Sequence, residues 1–311
     1  MTQSDEPDWD CVIVGGGPAG LSAALMLGRC RRRVVLCDVG QPRNAASQAM
    51  HGFLSRDGIP PLELLQISRA QLDRYSTVER RALEVLDVKR RGQAFESTLS
   101  DGLTLHSATV LLATGVVDEL PEVDGIRSFY GRSVFHCPYC DGWEVRDRQL
   151  GVYGNGKSAA GLAQTLSIWS NKLFVCTDGP AEFSSHEQRR FKRLGIQVHP
   201  DKIERLVGTD GKLERIEFAG GKSLPCEAMF VHTHQQQTSC LAEKLGCEDK
   251  ERRTIPKGKY EVTSVPGLYV AGDASRDVQW AIVAASEGAQ AAFDINKRLL
   301  KQSLAAPRRA K

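Results

Sequence analysis

Cys137 and Cys140 stand two residues apart in the run Cys137-Pro138-Tyr139-Cys140-Asp141-Gly142. Thiols at this spacing close into a strained, exchangeable disulfide, and a helix beginning there would lower the thiolate pKa of the attacking sulfur. Asp141 follows Cys140 directly and is placed to carry a proton to or from a thiolate. The competing chemistry for such a pair is half of a zinc site. Zinc normally takes four ligands, and the chain has no second Cys-x-x-Cys. His136 and the pair His232 and His234 are the other candidate donors. The spacing points to dithiol–disulfide exchange, with no metal expected.

A second cluster concerns phosphate. Gly15-x-Gly17-x-x-Gly20 follows the apolar stretch Cys11–Val14 and opens an apolar helical pattern, with Asp38 at the end of the next apolar stretch. Gly15 permits the tight turn, Gly17 lets the backbone approach a pyrophosphate, and Gly20 lets helix and strand pack closely. Pro18 and Ala19 begin the helix, whose free N–H groups and positive dipole favour an anion. Asp38 is the expected acceptor for adenosine ribose hydroxyls. Ala271-Gly272-Asp273 ends a third apolar stretch. An acidic group there needs hydroxyl or N–H partners, and a flavin ribitol supplies them. With both motifs present, the expected cofactor is FAD.

These groups need a frame of alternating strands and helices. Strands are expected at Val34–Cys37, Thr109–Leu112, Gln149–Tyr153, Leu173–Cys176 and Leu268–Val270, with an antiparallel hairpin at 95–105 turning on Asp101-Gly102. Helices are expected over Pro61–Leu86, from Gly156 to about Trp169, and over Ala281–Leu300. A second glycine turn, Gly154-Asn155-Gly156-Lys157-Ser158-Ala159, opens the middle helix. Linkers are expected at Val116–Gly125 and near Leu245–Lys257. The fold class is α/β, one dinucleotide-binding domain inserted into another: residues 1–117 with 246–311 outside, and 118–245 inside, carrying the cysteine pair.

With 311 residues, the chain is long enough for two domains. A net charge of +3, from 41 basic and 38 acidic residues, makes no case for nucleic acid or membrane partners. The basic runs Arg29–Arg33 and Lys301–Lys311 read as a helix end and a solvated tail. No apolar run reaches the ~18–20 residues of a membrane span. The acidic start, Met1–Trp9, is unlike a secretory signal, so a cytoplasmic location is expected. Most thiols stay reduced there, and Cys11, Cys37 and Cys176 read as packing residues.

In order and spacing, Gly15–Gly20, Ala113-Thr114-Gly115, Cys137–Gly142, Gly154–Ala159 and Ala271-Gly272-Asp273 resemble the low-molecular-weight thioredoxin reductases across nearly the whole chain. The resemblance implies two Rossmann-like domains, bound FAD, a homodimer, and thioredoxin or a similar thiol partner. It implies that Cys140 is the sulfur nearer the flavin, that Cys137 attacks the substrate disulfide, and that Asp141 is the acid–base. Ala113, Thr114, Gly115, Trp280 and Ala281 would border the flavin. NADPH-using members carry a basic cluster after the second inner strand, where this chain has Cys176-Thr177-Asp178-Gly179-Pro180. Asp178 would repel a 2′-phosphate, so NAD(P)H use stands open. The runs Pro138-Tyr139, Trp143-Glu144 and His51–Gly58 are similar instead to dithiol oxidases that close disulfides in natural products. That group often has His at the position of Asp141, so this residue turns the expectation toward thioredoxin reductase-like chemistry, with a dithiol oxidase using oxygen and a non-catalytic flavin-binding redox sensor as the alternatives. His51 is either a second proton carrier or a loop histidine bonded locally.

Overall fold

The computed structural model describes residues 7–247, 254–275 and 278–305. The first residues of the acidic start, much of the expected second linker and the end of the basic tail lie outside them.

The first half of the chain builds β1 (Trp9–Val14), α1 (Pro18–Arg29), β2 (Val34–Cys37), α2 (Pro61–Leu72), β3 (Val78–Arg81), β4 (Val85–Arg91), β5 (Ala94–Leu99), β6 (Thr104–Leu112) and β7 (Val116–Glu119). Next come α3 (Ile126–Phe129), β8 (Val134–Phe135), α4 (Pro138–Asp141), β9 (Leu150–Tyr153), α5 (Gly156–Leu166), β10 (Leu173–Cys176), α6 (Ser185–Leu194) and β11 (Gln197–His199). The chain continues through β12 (Ile203–Thr209), β13 (Lys212–Phe218), β14 (Ser223–Pro225), β15 (Ala228–Val231), β16 (His234–Gln237), α7 (Leu241–Lys244), β17 (Leu268–Val270) and α8 (Ala281–Ala305).

One sheet runs β3-β2-β1-β6-β5-β4, with β17 also paired to β6. β1 lies parallel to β2 and β6, and its side chains alternate between two cores. Cys11 and Ile13 pack with α1 and α8 on one face, while Val12 and Val14 pack with Phe95, Leu99 and Leu241 on the other. A strand covered on both faces must be apolar throughout, which is why Cys11–Val14 reads as an unbroken apolar run. A second sheet runs β11-β10-β9-β15-β8 and is likewise covered on both faces.

Four expectations change. The helix expected to Leu86 ends at Leu72, and Val78–Arg81 and Val85–Arg91 are strands. Val78 pairs with Val34, and its β-branched side chain suits that sheet position better than a helix. Thr109–Leu112 is the end of the longer β6, continuous with the hairpin. The inner helix stops at Leu166. The expected linker at 116–125 contains β7, which pairs antiparallel with β16 from Val116–Gln237 to Glu119–His234. The two segments that join the sheets therefore form one hydrogen-bonded ribbon.

Candidate redox site

The β1–α1 turn opens on Gly15, whose φ of +105° only glycine adopts readily. A Cβ there would lie 2.3 Å from the Ala113 carbonyl oxygen. One on Gly20 would lie 1.9 Å from the Gly15 carbonyl oxygen, so Gly20 is a packing residue set back from the cavity. Gly17 differs: a Cβ there would meet nothing within 4 Å. Gly17 caps α1 without a side-chain hydrogen bond, and Pro18 begins the helix. The α1 amides thus face open space beside a backbone that nothing crowds.

That space belongs to a cavity of about 500 Å³. Pro18, Ala19 and Asp38 line one stretch of it, and Ala113, Thr114 and Gly115 at the end of β6 line another. Gly272, Asp273, Trp280 and Ala281 contribute from the C-terminal segment. Cys137, Cys140 and Asp141 close the same cavity. Trp280 is 41% exposed and its ring lies 5.9 Å from that of Tyr139, so it is a wall residue, not a core aromatic.

Cys137 and Cys140 form a disulfide with Cα atoms 5.3 Å apart. Cys137 caps the short helix α4 that carries Cys140 and Asp141. Burial pushes the Asp141 carboxyl up to about 7, with Glu144 adding to the rise and His51 opposing it. A carboxyl poised there both gives and takes protons near neutrality. The free cysteines Cys11, Cys37 and Cys176 are buried in strands, where burial raises their thiols to between about 11 and about 12. They are poor nucleophiles.

Sequence reasoning missed the polar framework of the cavity. Asp38 accepts from Arg69 of α2 at 3.1 Å. Arg43 donates to Asp118, Asp273 and Gln279. Its remaining contact, 3.4 Å to His136 Nε2, fixes a tautomer, because a guanidinium only donates. His136 Nδ1–H then donates to the Tyr130 hydroxyl at 2.9 Å, and Tyr130 donates onward to Asp118 at 3.4 Å. His136 is consequently held neutral, in keeping with burial lowering its pKa. Gly272 N–H donates to Glu287 at 2.7 Å, and Glu287 is paired with Lys257 at 3.0 Å, so buried charge anchors the turn that carries Asp273.

The inner glycine turn is occupied by its own side chain. Asn155 Oδ1 accepts from Gly156 N–H at 2.9 Å and from Glu182 N–H at 2.8 Å, while Nδ2 donates to the Pro180 carbonyl at 2.8 Å. Asp178, at φ +51°, accepts from Ile203 N–H at 2.8 Å and from the Tyr153 hydroxyl at 3.3 Å. His232 and His234 lie ring to ring at 6.0 Å, and among the described residues no group of three potential ligands could hold a metal. No described helix is long and apolar enough to cross a membrane.

Residues 9–288 match the pyridine nucleotide-disulphide oxidoreductase family. A probable thioredoxin reductase of Arthroderma benhamiae is 30% identical, over 88% of this chain and 75% of its own length. Thioredoxin reductase tcpT of Claviceps purpurea is 31% identical, over 85% of this chain and 86% of its own. Among solved structures, HlmI superposes with a TM-score of 0.92 at 36% identity, over 98% of this chain and 96% of HlmI. A putative thioredoxin reductase TrxB from Bacillus anthracis gives 0.89 at 32% identity, over 95% of this chain and 99% of that one. With the disulfide and the glycine turn on one cavity, these likenesses make the chain a member of the pyridine nucleotide-disulphide oxidoreductase family, a thioredoxin reductase-like flavoenzyme.

Proposed function

We propose that the protein is an FAD-dependent dithiol oxidoreductase whose Cys137–Cys140 disulfide takes electrons from a thiol partner rather than from a nicotinamide bound at the inner turn. One observation carries this reading: the disulfide and the open Gly17 backbone share a single cavity. The α1 amides would hold the pyrophosphate of FAD, Asp38 a ribose, and Asp273 the ribitol. Residues 1–117 with 246–311 would form the FAD domain, and 118–245 the domain carrying the disulfide.

A substrate thiolate attacks Cys137 Sγ, forming a mixed disulfide and releasing the Cys140 thiolate, which takes a proton from Asp141. The second substrate thiolate attacks the substrate sulfur of that mixed disulfide and expels the Cys137 thiolate, which is protonated from solvent. The substrate leaves oxidised, and Cys137 and Cys140 remain as thiols. FAD, when bound, supplies the two-electron chemistry that restores the disulfide, with dioxygen as terminal acceptor. The self-occupied Asn155 turn supports a thiol donor, because its side chain takes the Gly156 amide that a dinucleotide phosphate would use.

The relatives named thioredoxin reductases favour a second reading, in which NADPH or NADH drives the same pair to reduce thioredoxin. A homodimer belongs to both readings through the family resemblance. Anaerobic titration of the flavin-loaded protein separates them. Bleaching by a dithiol but not by NADPH or NADH is expected; rapid bleaching by a nicotinamide establishes the second reading. Cys140→Ser should keep FAD and lose turnover.

A further inference from the structure

His51 sits in the loop between Met50 and Ile59, which is closed at its base by the Met50 N–H to Ile59 carbonyl bond at 2.8 Å and the Gly58 N–H to Met50 carbonyl bond at 2.9 Å. It lines the same cavity as the disulfide and Asp141. Its two ring nitrogens face two different carboxylates: Nε2 lies 3.5 Å from Glu144 Oε1, and Nδ1 lies 3.5 Å from Asp57 Oδ1. Asp57 is itself anchored by the Gly52 N–H at 2.8 Å. Side-chain exposure rises outward, from 22% for His51 to 37% for Glu144 and 70% for Asp57.

When substrate thiolates reduce the disulfide, two cysteine thiolates must be protonated, and Asp141 holds one proton that it must regain before the next turnover. The other ionisable groups of the cavity are committed elsewhere. Arg43, Asp118, His136, Tyr130 and Asp273 form one hydrogen-bonded network, and Asp38 is paired with Arg69. Tyr130 feels the Asp141 charge, and its phenol is held protonated by burial and by Asp118. Glu144, on the turn after α4, and His51, from the facing loop, are the groups that act on Asp141. An imidazole between two carboxylates takes a proton at one nitrogen and gives it up at the other.

We propose that His51, held between Glu144 and Asp57, is the relay that carries protons between solvent and Asp141. This rests on the reading of Asp141 as the acid–base of the exchange.

The test uses flavin-loaded protein labelled with ¹³C at aspartate carboxyls, the Asp141 resonance being assigned by its loss in Asp141→Asn. His51→Gln should move the Asp141 midpoint up by about half a pH unit or more, and Glu144→Gln should move it down. His51→Ala should slow reduction of the disulfide by dithiothreitol about tenfold or more at low buffer, and added imidazole should restore it. An unmoved midpoint in both Gln variants, or a His51→Ala rate that imidazole leaves unchanged, overturns the relay while the role of Asp141 stands. Full turnover in Asp141→Asn overturns the Asp141 reading and the relay with it.

Discussion

Arg43 holds Asp118 by two hydrogen bonds, Nε to Oδ2 at 2.6 Å and Nη2 to Oδ1 at 2.7 Å, and its third nitrogen reaches Asp273 at 2.8 Å. Asp118 belongs to the ribbon joining the two sheets, and Asp273 to the cavity turn, so one guanidinium ties the connection between sheets to the cavity wall. Burial alone would raise the Asp118 carboxyl, but hydrogen bonding and charge from Arg43 hold it down at about 2. A depressed carboxyl stabilises the fold above its unfolded value and loses that contribution as pH falls through the folded one. Native stability should therefore drop by about 2 kcal/mol between pH 4 and 2 through this group. Arg43→Ala should destabilise by about 3 kcal/mol at pH 7, because it leaves a buried carboxylate unpaired. Arg43→Lys should not restore it, since Lys cannot make the two-pronged contact. Urea unfolding across pH measures all three; a wild-type midpoint in Arg43→Ala would remove the tie from the energetics.

Asp141 has the opposite sign. Its folded value of about 7 lies above the ordinary carboxyl, so the native state binds the proton more tightly than the unfolded chain. Stability is unimpaired below about pH 4 and is lost as pH rises to about 7. Asp141→Asn removes the titration. The variant should match wild type at low pH and exceed it by about 4 kcal/mol at pH 8, while losing turnover. Thermal melts at several pH values, with dithiol oxidation assayed alongside, test the trade-off. A constant stability difference across pH would show that the carboxyl titrates normally.

The parts of this site that the chain spells out are local ones. Gly15, Gly17 and Gly20 show in sequence because a strand-to-helix turn compresses its requirements into six residues, and the cysteine pair because a disulfide at this spacing needs no distant partner. Arg43 does not show: its partners Asp118 and Asp273 lie 75 and 230 residues away, and nothing near Arg43 in the chain marks it. Arg69 is similarly hidden, one polar position on an ordinary amphipathic helix. The β7–β16 ribbon escaped because His234–Gln237 is polar, without the apolar alternation that announces a strand. Leucine spacing extended α2 falsely, since Leu83 and Leu86 continue its rhythm while Thr77 and Val78 already pair with the neighbouring strand.

Gly17 and Gly20 separate cofactor binding from folding. Gly17 has φ −74° and open space at its Cβ, so a side chain there offends nothing in the protein. Gly17→Val should fold with a melting temperature close to that of the flavin-free wild type and purify without flavin. Gly20→Ala drives a methyl into the Gly15 carbonyl oxygen and should lose about 3 kcal/mol with or without flavin. Flavin absorbance per chain and a melt of each variant suffice. Normal flavin content in Gly17→Val would place the pyrophosphate elsewhere.

Asn155 decides whether nicotinamide can be admitted. Its side chain joins the inner glycine turn to the Pro180–Glu182 segment through three hydrogen bonds, taking the amide that a phosphate would use. Asp178 is the more obvious target for engineering, but its carboxylate supports Ile203 and Tyr153 from a left-handed backbone, so Asp178→Arg would loosen the inner sheet. Asn155→Gly removes the side-chain cap, at a cost of only a few tenths of a kcal/mol, together with two bonds to the Pro180–Glu182 segment, and leaves the strand–helix frame in place. If the plug is what excludes the dinucleotide, this variant should bleach its flavin with NADH faster than wild type, and NADH should outperform NADPH because Asp178 still repels a 2′-phosphate. Stopped-flow absorbance under nitrogen reads the difference. Equal inertness toward NADH in Asn155→Gly and wild type would move the block from the turn to the far end of the path, where Tyr139 packs on Trp280 of the cavity wall.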